Sequence, residues 1–198
     1  MRRSAILVVV GGLLVAGLGV LQHTSVASAQ EAGWVTLLDG TKLDGWNKVG
    51  NANWRIAGGA VESNMGNGFL VSPNSYGDFQ LKAEVWIDPD ANSGVFIRCA
   101  DPQKIGADTC YEVNVYDKRP GQEYRTGAIV DLARIQQKVD AGGKWNTLEI
   151  TARGPKMTIT VNGIKTSEGE SSARLRGPFA LQFGAGMVKF RKVEVRPL

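Results

Sequence analysis

Histidine is nearly missing from this chain: the 198 residues hold one, His23. Its position removes even that one from the chemistry. Arg2 and Arg3 precede an apolar run from Ala5 to Leu21, and Ala27-Ser28-Ala29 fits the small-residue cleavage pattern of a secretory signal. Residues 1–29 are therefore read as a signal peptide and 30–198 as a single mature domain, secreted or periplasmic. Gly11, Gly12, Gly17 and Gly19 in the apolar run favour removal over retention as an anchor, so no membrane partner is expected after cleavage. Without imidazole, the mature protein has no Ser-His-Asp triad, no Cys-His pair and no histidine-ligated zinc. Carboxylates, Lys, Tyr or a bound metal must carry any proton transfer.

Cysteine is almost as scarce. Cys99 and Cys110 bracket the ten-residue stretch Ala100 to Thr109, and two thiols alone do not complete a tetrahedral metal site. In an exported chain the spacing points to a disulfide that closes a loop between two strands, stabilising the fold by roughly 2–3 kcal/mol. Strict alternation would place the two sulfurs on opposite faces, so the bridge is expected where the ladder has already broken.

An excess of one charge is missing too. Losing Arg2 and Arg3 with the signal lowers the net charge from +4 to +2, and the remaining Lys and Arg are scattered. A nucleic-acid partner lacks its electrostatic footprint. No linker, repeat or low-complexity run divides the mature chain, whose length suffices for one packed core.

Helical periodicity is also nearly absent; what is present is a period of two. Phe79, Leu81, Ala83, Val85 and Ile87 alternate with Gln80, Lys82, Glu84 and Trp86 until Pro89, as in a half-buried strand. Leu148 to Arg153 and Met157 to Val161 flank Gly154-Pro155, and Asn162-Gly163 follows as a hairpin signal. Further short strands are predicted at Val35 to Leu38, Trp54 to Ile56, Gly59 to Glu62, Gly68 to Val71, Thr126 to Val130, Phe179 to Phe183 and Met187 to Val195. About a dozen strands with turns between them imply an all-β, two-layer antiparallel sandwich of jelly-roll type. Val130 to Val139 is the one stretch read as one or two helical turns.

Two of the strands carry the functional signal. In Asn92-Ser93-Gly94-Val95-Phe96-Ile97-Arg98 and Tyr111-Glu112-Val113-Asn114-Val115-Tyr116-Asp117, apolar residues take one face while Glu112, Asn114 and Tyr116 share the other, which Arg98 is expected to join. An isolated Arg and Glu on a sheet are ordinarily a solvated pair of little energetic value. The neighbouring Asn, Tyr and Ser-Gly turn shift the reading toward recognition of a polyol.

An ordered set of short motifs accompanies these strands: Leu38-Asp39-Gly40 through Asp44-Gly45-Trp46, Tyr76-Gly77-Asp78-Phe79, Asn92-Ser93-Gly94 with Arg98, Tyr111-Glu112, Thr126-Gly127-Ala128, Trp145-Asn146, Asn162-Gly163, Leu181-Gln182 and Val188-Lys189-Phe190-Arg191. Together they resemble the 3-keto-disaccharide hydrolase domain, a secreted bacterial family with a concanavalin-like sandwich, over nearly the whole mature chain. The resemblance implies action on glycosides oxidised to a ketone at carbon 3. It also implies that Arg98 and Glu112 lie on the concave sheet with Asn92 and Gln182 nearby. The chain departs from the pattern at Asn114, where Gln is expected, and at Phe183-Gly184-Ala185-Gly186, where a His-Gly is expected.

A ketone at carbon 3 acidifies the hydrogen on carbon 2, so such a bond can break by elimination followed by addition of water. Glu112 is the expected base if burial raises its pKa, Arg98 the expected oxyanion partner, and Tyr116 the expected donor to the leaving oxygen. An ordinary glycosidase would need two carboxyl groups roughly 5–9 Å apart, and this face offers one. Asn92, Asn114, Gln182 and Trp86 are the expected substrate contacts, Trp86 because it sits on the polar side of its strand and can stack on a sugar; Trp54 and Trp145 are read as core. No cofactor is expected; Asp88, Asp90 and Asn92 form an oxygen-rich loop that could take calcium but is read first as a simple turn. The alternatives to a hydrolase are a non-catalytic carbohydrate-binding module, whose case rests on the two departures, and a structural or protein-binding sandwich.

Overall fold

Phe79, Leu81, Ala83, Val85 and Ile87 are all buried, and the residues between them are half-exposed. Period two thus places one edge of this strand in the core, where each large apolar side chain contributes about 1.5–3 kcal/mol by leaving water. The computed structural model describes residues 33–198; the signal peptide read over residues 1–29 lies outside the described residues. In chain order the strands are β1 (Val35–Leu38), β2 (Asn47–Gly50), β3 (Arg55–Ala57), β4 (Ala60–Ser63), β5 (Gly68–Val71), β6 (Phe79–Ile87) and β7 (Asn92–Ile97). They continue with β8 (Tyr111–Val115), β9 (Trp145–Arg153), β10 (Lys156–Val161), β11 (Ile164–Glu170), β12 (Ala180–Ala185) and β13 (Val188–Pro197).

These strands form two antiparallel sheets. The larger runs β11-β10-β9-β6-β13-β4-β3, with β1 also paired to β13, and the smaller runs β2-β5-β12-β7-β8. Leu70, Val95, Ile97, Val113, Leu181 and Phe183 of the smaller sheet meet the inner residues of β6, β9, β10 and β13 in one core. The expected hairpin at Asn162-Gly163 is present, with φ of 52° and 79°, the left-handed pair that a two-residue turn of matching twist requires.

Two sequence expectations fail here. Val130 to Val139 is not helical; the only helix among the described residues is a single 3-10 turn at Gln122–Tyr124. Thr126 to Val130 is not a full strand either. It runs beside the exposed edge of β8, where Ala128 O accepts from Asn114 N, and Gly127 N and Val130 N donate to Asn114 O and Glu112 O. Edge coverage of this kind leaves β8 without an open ladder. Thr166 Oγ1 and Ser167 Oγ of β11 both donate to Gly127 O, tying the same segment to the larger sheet.

The chain beyond β7 breaks its alternation. Ile97 opposite Tyr111 is the last pair of the β7–β8 ladder, and Arg98 then takes φ 51°, which is uncommon for a residue other than glycine. The guanidinium consequently turns inward and is fully buried. Nε and Nη2 donate to Gly77 O at 3.1 and 2.9 Å, Nη1 donates to Gly154 O at 2.7 Å, and Nη2 meets Asp78 Oδ1 at 3.2 Å. Arg98 therefore does not join Glu112 on the polar face, contrary to the expectation from alternation. The same turn delivers Cys99 to the outer face, where its disulfide with Cys110 packs with Val71, Phe96 and Ala180. The bridge lies where the ladder has ended, as expected.

Replacing Arg98 by Met should lower the unfolding free energy by about 3 kcal/mol, because it orphans buried carbonyls and removes the partner of Asp78. Urea denaturation of the oxidised protein checks this. A loss below about 1 kcal/mol would show that water replaces the guanidinium without penalty.

Candidate functional site

The smaller sheet turns a second face away from the core. Register places Val49, Phe69, Gln182, Gly94 and Asn114 in one row across β2, β5, β12, β7 and β8, and Asn47, Val71, Ala180, Phe96 and Glu112 in the next. The apolar end is closed by the disulfide loop, with Phe69 edge-on to Phe96 at 5.2 Å between centroids. The other end is polar and built around Gly94. A Cβ on Gly94 would lie 3.3 Å from Gln182 Oε1 and 3.5 Å from Glu112 Cγ, so these two side chains lean over the glycine from either flank. Asn92, one step along β7, packs against Gly184, where a Cβ would meet its Nδ2 at 2.8 Å.

Of the expected binding residues, Asn114 and Gln182 flank Gly94 next to Glu112, whereas Asn92 lies further along the same face. The polar atoms there are short of partners. Gln182 Oε1 and Asn114 Oδ1 are buried with no hydrogen-bond partner among the described residues, although Asn114 Nδ2 donates to Tyr124 O at 2.6 Å. Buried polar atoms in folded proteins are nearly always satisfied, so these two acceptors on one face can take an external donor. The Glu112 carboxylate, half-buried, makes no hydrogen bond or ion pair among the described residues.

Burial pushes the Glu112 carboxyl up from its ordinary value; the charge of Arg119 opposes the shift, and that of Asp131 adds to it. The cation in the field of Glu112 is thus Arg119, in the loop just after β8, and not Arg98. Sequence reading passed over Arg119 because it lies outside the alternating segment. The signal that could have found it is the charged pair Lys118-Arg119 before Pro120-Gly121, in a loop that leaves the polar face. Gln122 Nε2 fixes that loop by donating to Asp117 O and Arg119 O. Asp117 is anchored beneath it, accepting from Thr126 Oγ1 and from the backbone of Ala141 and Gly142.

The remaining expected residues are elsewhere or differently placed. Tyr116 follows β8 directly and is half-exposed. Trp86 belongs to β6 in the opposite sheet, on that sheet's outer face, so it makes no contact with a ligand at Glu112. Trp145 pairs with it there, half-exposed rather than in the core, whereas Trp54 is buried as expected. Asp90 is ion-paired with Lys118 and Asn92 is turned to Gly184, so the oxygen-rich loop does not converge; among the described residues no three His, Cys, Asp or Glu gather as a metal site.

The profile of the 3-keto-α-glucoside-1,2-lyase-like domain matches residues 33–196. The chain belongs to this family. Solved structures agree at the level of the fold. Two candidate glycosyl hydrolases from Parabacteroides distasonis superpose with TM-scores of 0.71 and 0.75 at 21% and 18% identity, covering 83% and 84% of this chain and 99% and 94% of theirs. The carbohydrate-binding module CBM66 from Bacillus subtilis superposes with a TM-score of 0.63 at 20% identity, over 77% of this chain and 95% of its own. No curated protein matches the sequence. Within the 3-keto-α-glucoside-1,2-lyase-like fold, Glu112 and its amide neighbours hold the polar half of the smaller sheet's outer face.

The raised carboxyl has a consequence for stability. An acid that titrates higher in the folded state binds its proton more tightly there, so folding is favoured below the ordinary carboxylate range and penalised as pH rises through the folded value. Glu112→Gln should therefore raise the melting temperature at about pH 7 and leave it unchanged near pH 4. Thermal melts at the two pH values decide; equal melting temperatures at both would show that the carboxylate is as well solvated folded as unfolded.

Proposed function

We propose that this protein is an exported hydrolase of 3-keto-glycosides that works by elimination and hydration, with Glu112 as the base. One observation carries the reading: an unpaired carboxylate, pushed up by burial, stands among amide oxygens that have no donors of their own. The hydroxyl groups of a sugar supply such donors. A base poised closer to neutrality than a free carboxylate suits abstraction of a proton made acidic by an adjacent ketone.

In the proposed reaction the Glu112 carboxylate takes the proton from carbon 2, and the electron pair moves to form the enolate across carbons 2 and 3. Arg119, whose charge already reaches Glu112, stabilises the negative oxygen on carbon 3 in place of Arg98. Collapse of the enolate restores the ketone, forms the double bond between carbons 1 and 2, and expels the group on carbon 1. Tyr116 delivers the proton to the departing oxygen. Water then adds across the double bond, its oxygen to carbon 1 and the proton held by Glu112 to carbon 2, while the proton it gives up restores Tyr116, and the free 3-keto sugar results. Gln182, Asn114 and Asn92 hold hydroxyl groups and fix the ring against the Phe69 edge of the face.

A carbohydrate-binding module remains the second reading, and the structural use of Arg98 favours it, since the expected cation of the site is spent on the fold. Incubation of the mature protein with native and 3-oxidised disaccharides separates the two. Turnover of the oxidised sugars alone, lost at least a hundredfold in Glu112→Gln with binding retained, is the expected result; binding without turnover in the parent protein would establish the module. Export is supported by the leader sequence and by the disulfide. Non-reducing intact mass of the exported protein should correspond to cleavage after Ala29 less two hydrogens, and free thiols would contradict it.

A further inference from the structure

The larger sheet has its own organised outer face. Register aligns Arg55, Glu62, Lys189, Trp86 and Trp145 in one row across β3, β4, β13, β6 and β9. Glu62, with its side chain 8% exposed, receives Arg55 at 2.7 Å and Lys189 at 3.2 Å. Lys189 Nζ also stands 5.3 Å from the centroid of the Trp86 ring. A bulge in β13 between Phe190 and Lys192 sets Arg191 outward, over Trp145 at 4.4 Å and paired with Glu84.

These residues enclose a cleft of about 290 Å³ lined by Gly58, Ala60, Glu62, Trp86, Trp145 and Lys189. Its size is at the small end of ligand clefts. The β3–β4 turn at its rim is Gly58-Gly59, both left-handed, with nothing within 4 Å of where a Cβ would stand on either. Small residues on one side and two half-exposed indoles on the other leave a slot, with Lys189 and Arg191 over part of the two rings and the rest of each indole facing the slot. Next to the indoles are one carboxylate and one ammonium, already paired to each other, so the lining carries no net charge.

We infer that this cleft is a second saccharide site, which takes a neutral pyranose ring of an unoxidised glycan. A sugar ring has an apolar face of C–H groups and a rim of hydroxyls that both donate and accept. Indole offers the matching flat surface, and the Glu62–Lys189 pair offers an acceptor and a donor held in place by the row. Anionic ligands are disfavoured because Lys189, the one cation of the lining, is paired with Glu62. A protein segment would demand more apolar area than this cleft presents. The site lies on the sheet opposite Glu112, so a chain bound there does not occupy the catalytic face, and the inference does not rest on the hydrolase reading.

The test uses the mature protein with 15N-indole-labelled tryptophan, titrated with cellohexaose, maltohexaose and laminarihexaose. At least one sugar should shift the indole N–H resonances of Trp86 and Trp145 saturably while those of buried Trp46 and Trp54 stay fixed, a measurement that needs no variant. Trp86→Ala combined with Trp145→Ala should weaken that binding at least tenfold while the cooperative thermal melt of the parent is kept, and Glu112→Gln should leave the binding intact. The inference is overturned if none of the three sugars moves either resonance, if the double variant binds as the parent does, or if Glu112→Gln removes the binding.

Discussion

The buried guanidinium of Arg98 is the constraint on which the arrangement of this protein's faces depends. Taking a cation out of water is costly unless its donors are matched, and here the carbonyls of Gly77 and Gly154 and the carboxylate of Asp78 match them. Asp78 Oδ1 in turn accepts from Gly154 N. One side chain from the smaller sheet thereby holds the entry to β6 and the β9–β10 turn of the larger one. The left-handed backbone at Arg98 is part of the same device. Gly177 lies so close that a Cβ on it would stand 2.2 Å from Cys99 O, and Cys99 N donates to Pro178 O. Packing therefore enforces a conformation that arginine adopts reluctantly on its own.

That kink decides what the outer face of the smaller sheet can be. Had alternation continued, a guanidinium would stand beside Glu112 and neutralise it as an ordinary ion pair. Instead the disulfide and Phe96 close that end with apolar surface, and Glu112 is left half-buried without a direct partner. Desolvation then dominates its titration over the opposing field of Arg119. Removing the arginine from the face is thus what leaves the carboxylate without a direct ion pair, and the fold gains an inter-sheet tie from the same displacement.

Period two made the regular strands legible. β6, β9 and β10 read directly from their alternation, and the Asn162-Gly163 turn from its chemistry, because side-chain facing in these stretches follows sequence parity alone. The facing of Glu112 and Asn114 was legible for the same reason, since each lies within a strand, whereas Gln182 and Asn92 came from the family resemblance. What escaped lies where parity stops. Arg98 is one residue past the ladder and Arg119 four residues past it, in a loop held by Gln122 and Asp117 through contacts of no fixed sequence spacing. Trp86 was read correctly as outward but carried no mark of which sheet it belonged to. Val130 to Val139 has helix-compatible residues, yet its backbone is spent elsewhere: Ile129 bridges both Val113 and Ala133, Ile135 N donates to Glu123 O, and Gln136 N donates to Thr166 O. Tertiary partners outbid a weak local preference.

The two outer faces show opposite solutions to the same problem of placing polar groups on a sheet. On the larger sheet, Glu62 pairs with both Arg55 and Lys189, and Arg191 pairs with Glu84 and stands over Trp145, so its charges have partners within that face. On the smaller sheet the acceptors Gln182 Oε1 and Asn114 Oδ1 remain unpaired and Glu112 unneutralised. Satisfied charge holds shape but does no chemistry, because its protons are already committed. An unsatisfied acceptor array is costly to the fold and pulls in donors, and a desolvated carboxylate within it can accept a proton. By this reasoning the face that carries Glu112 is the one whose polar groups are still uncommitted, whereas the charges of the tryptophan face are already paired with one another.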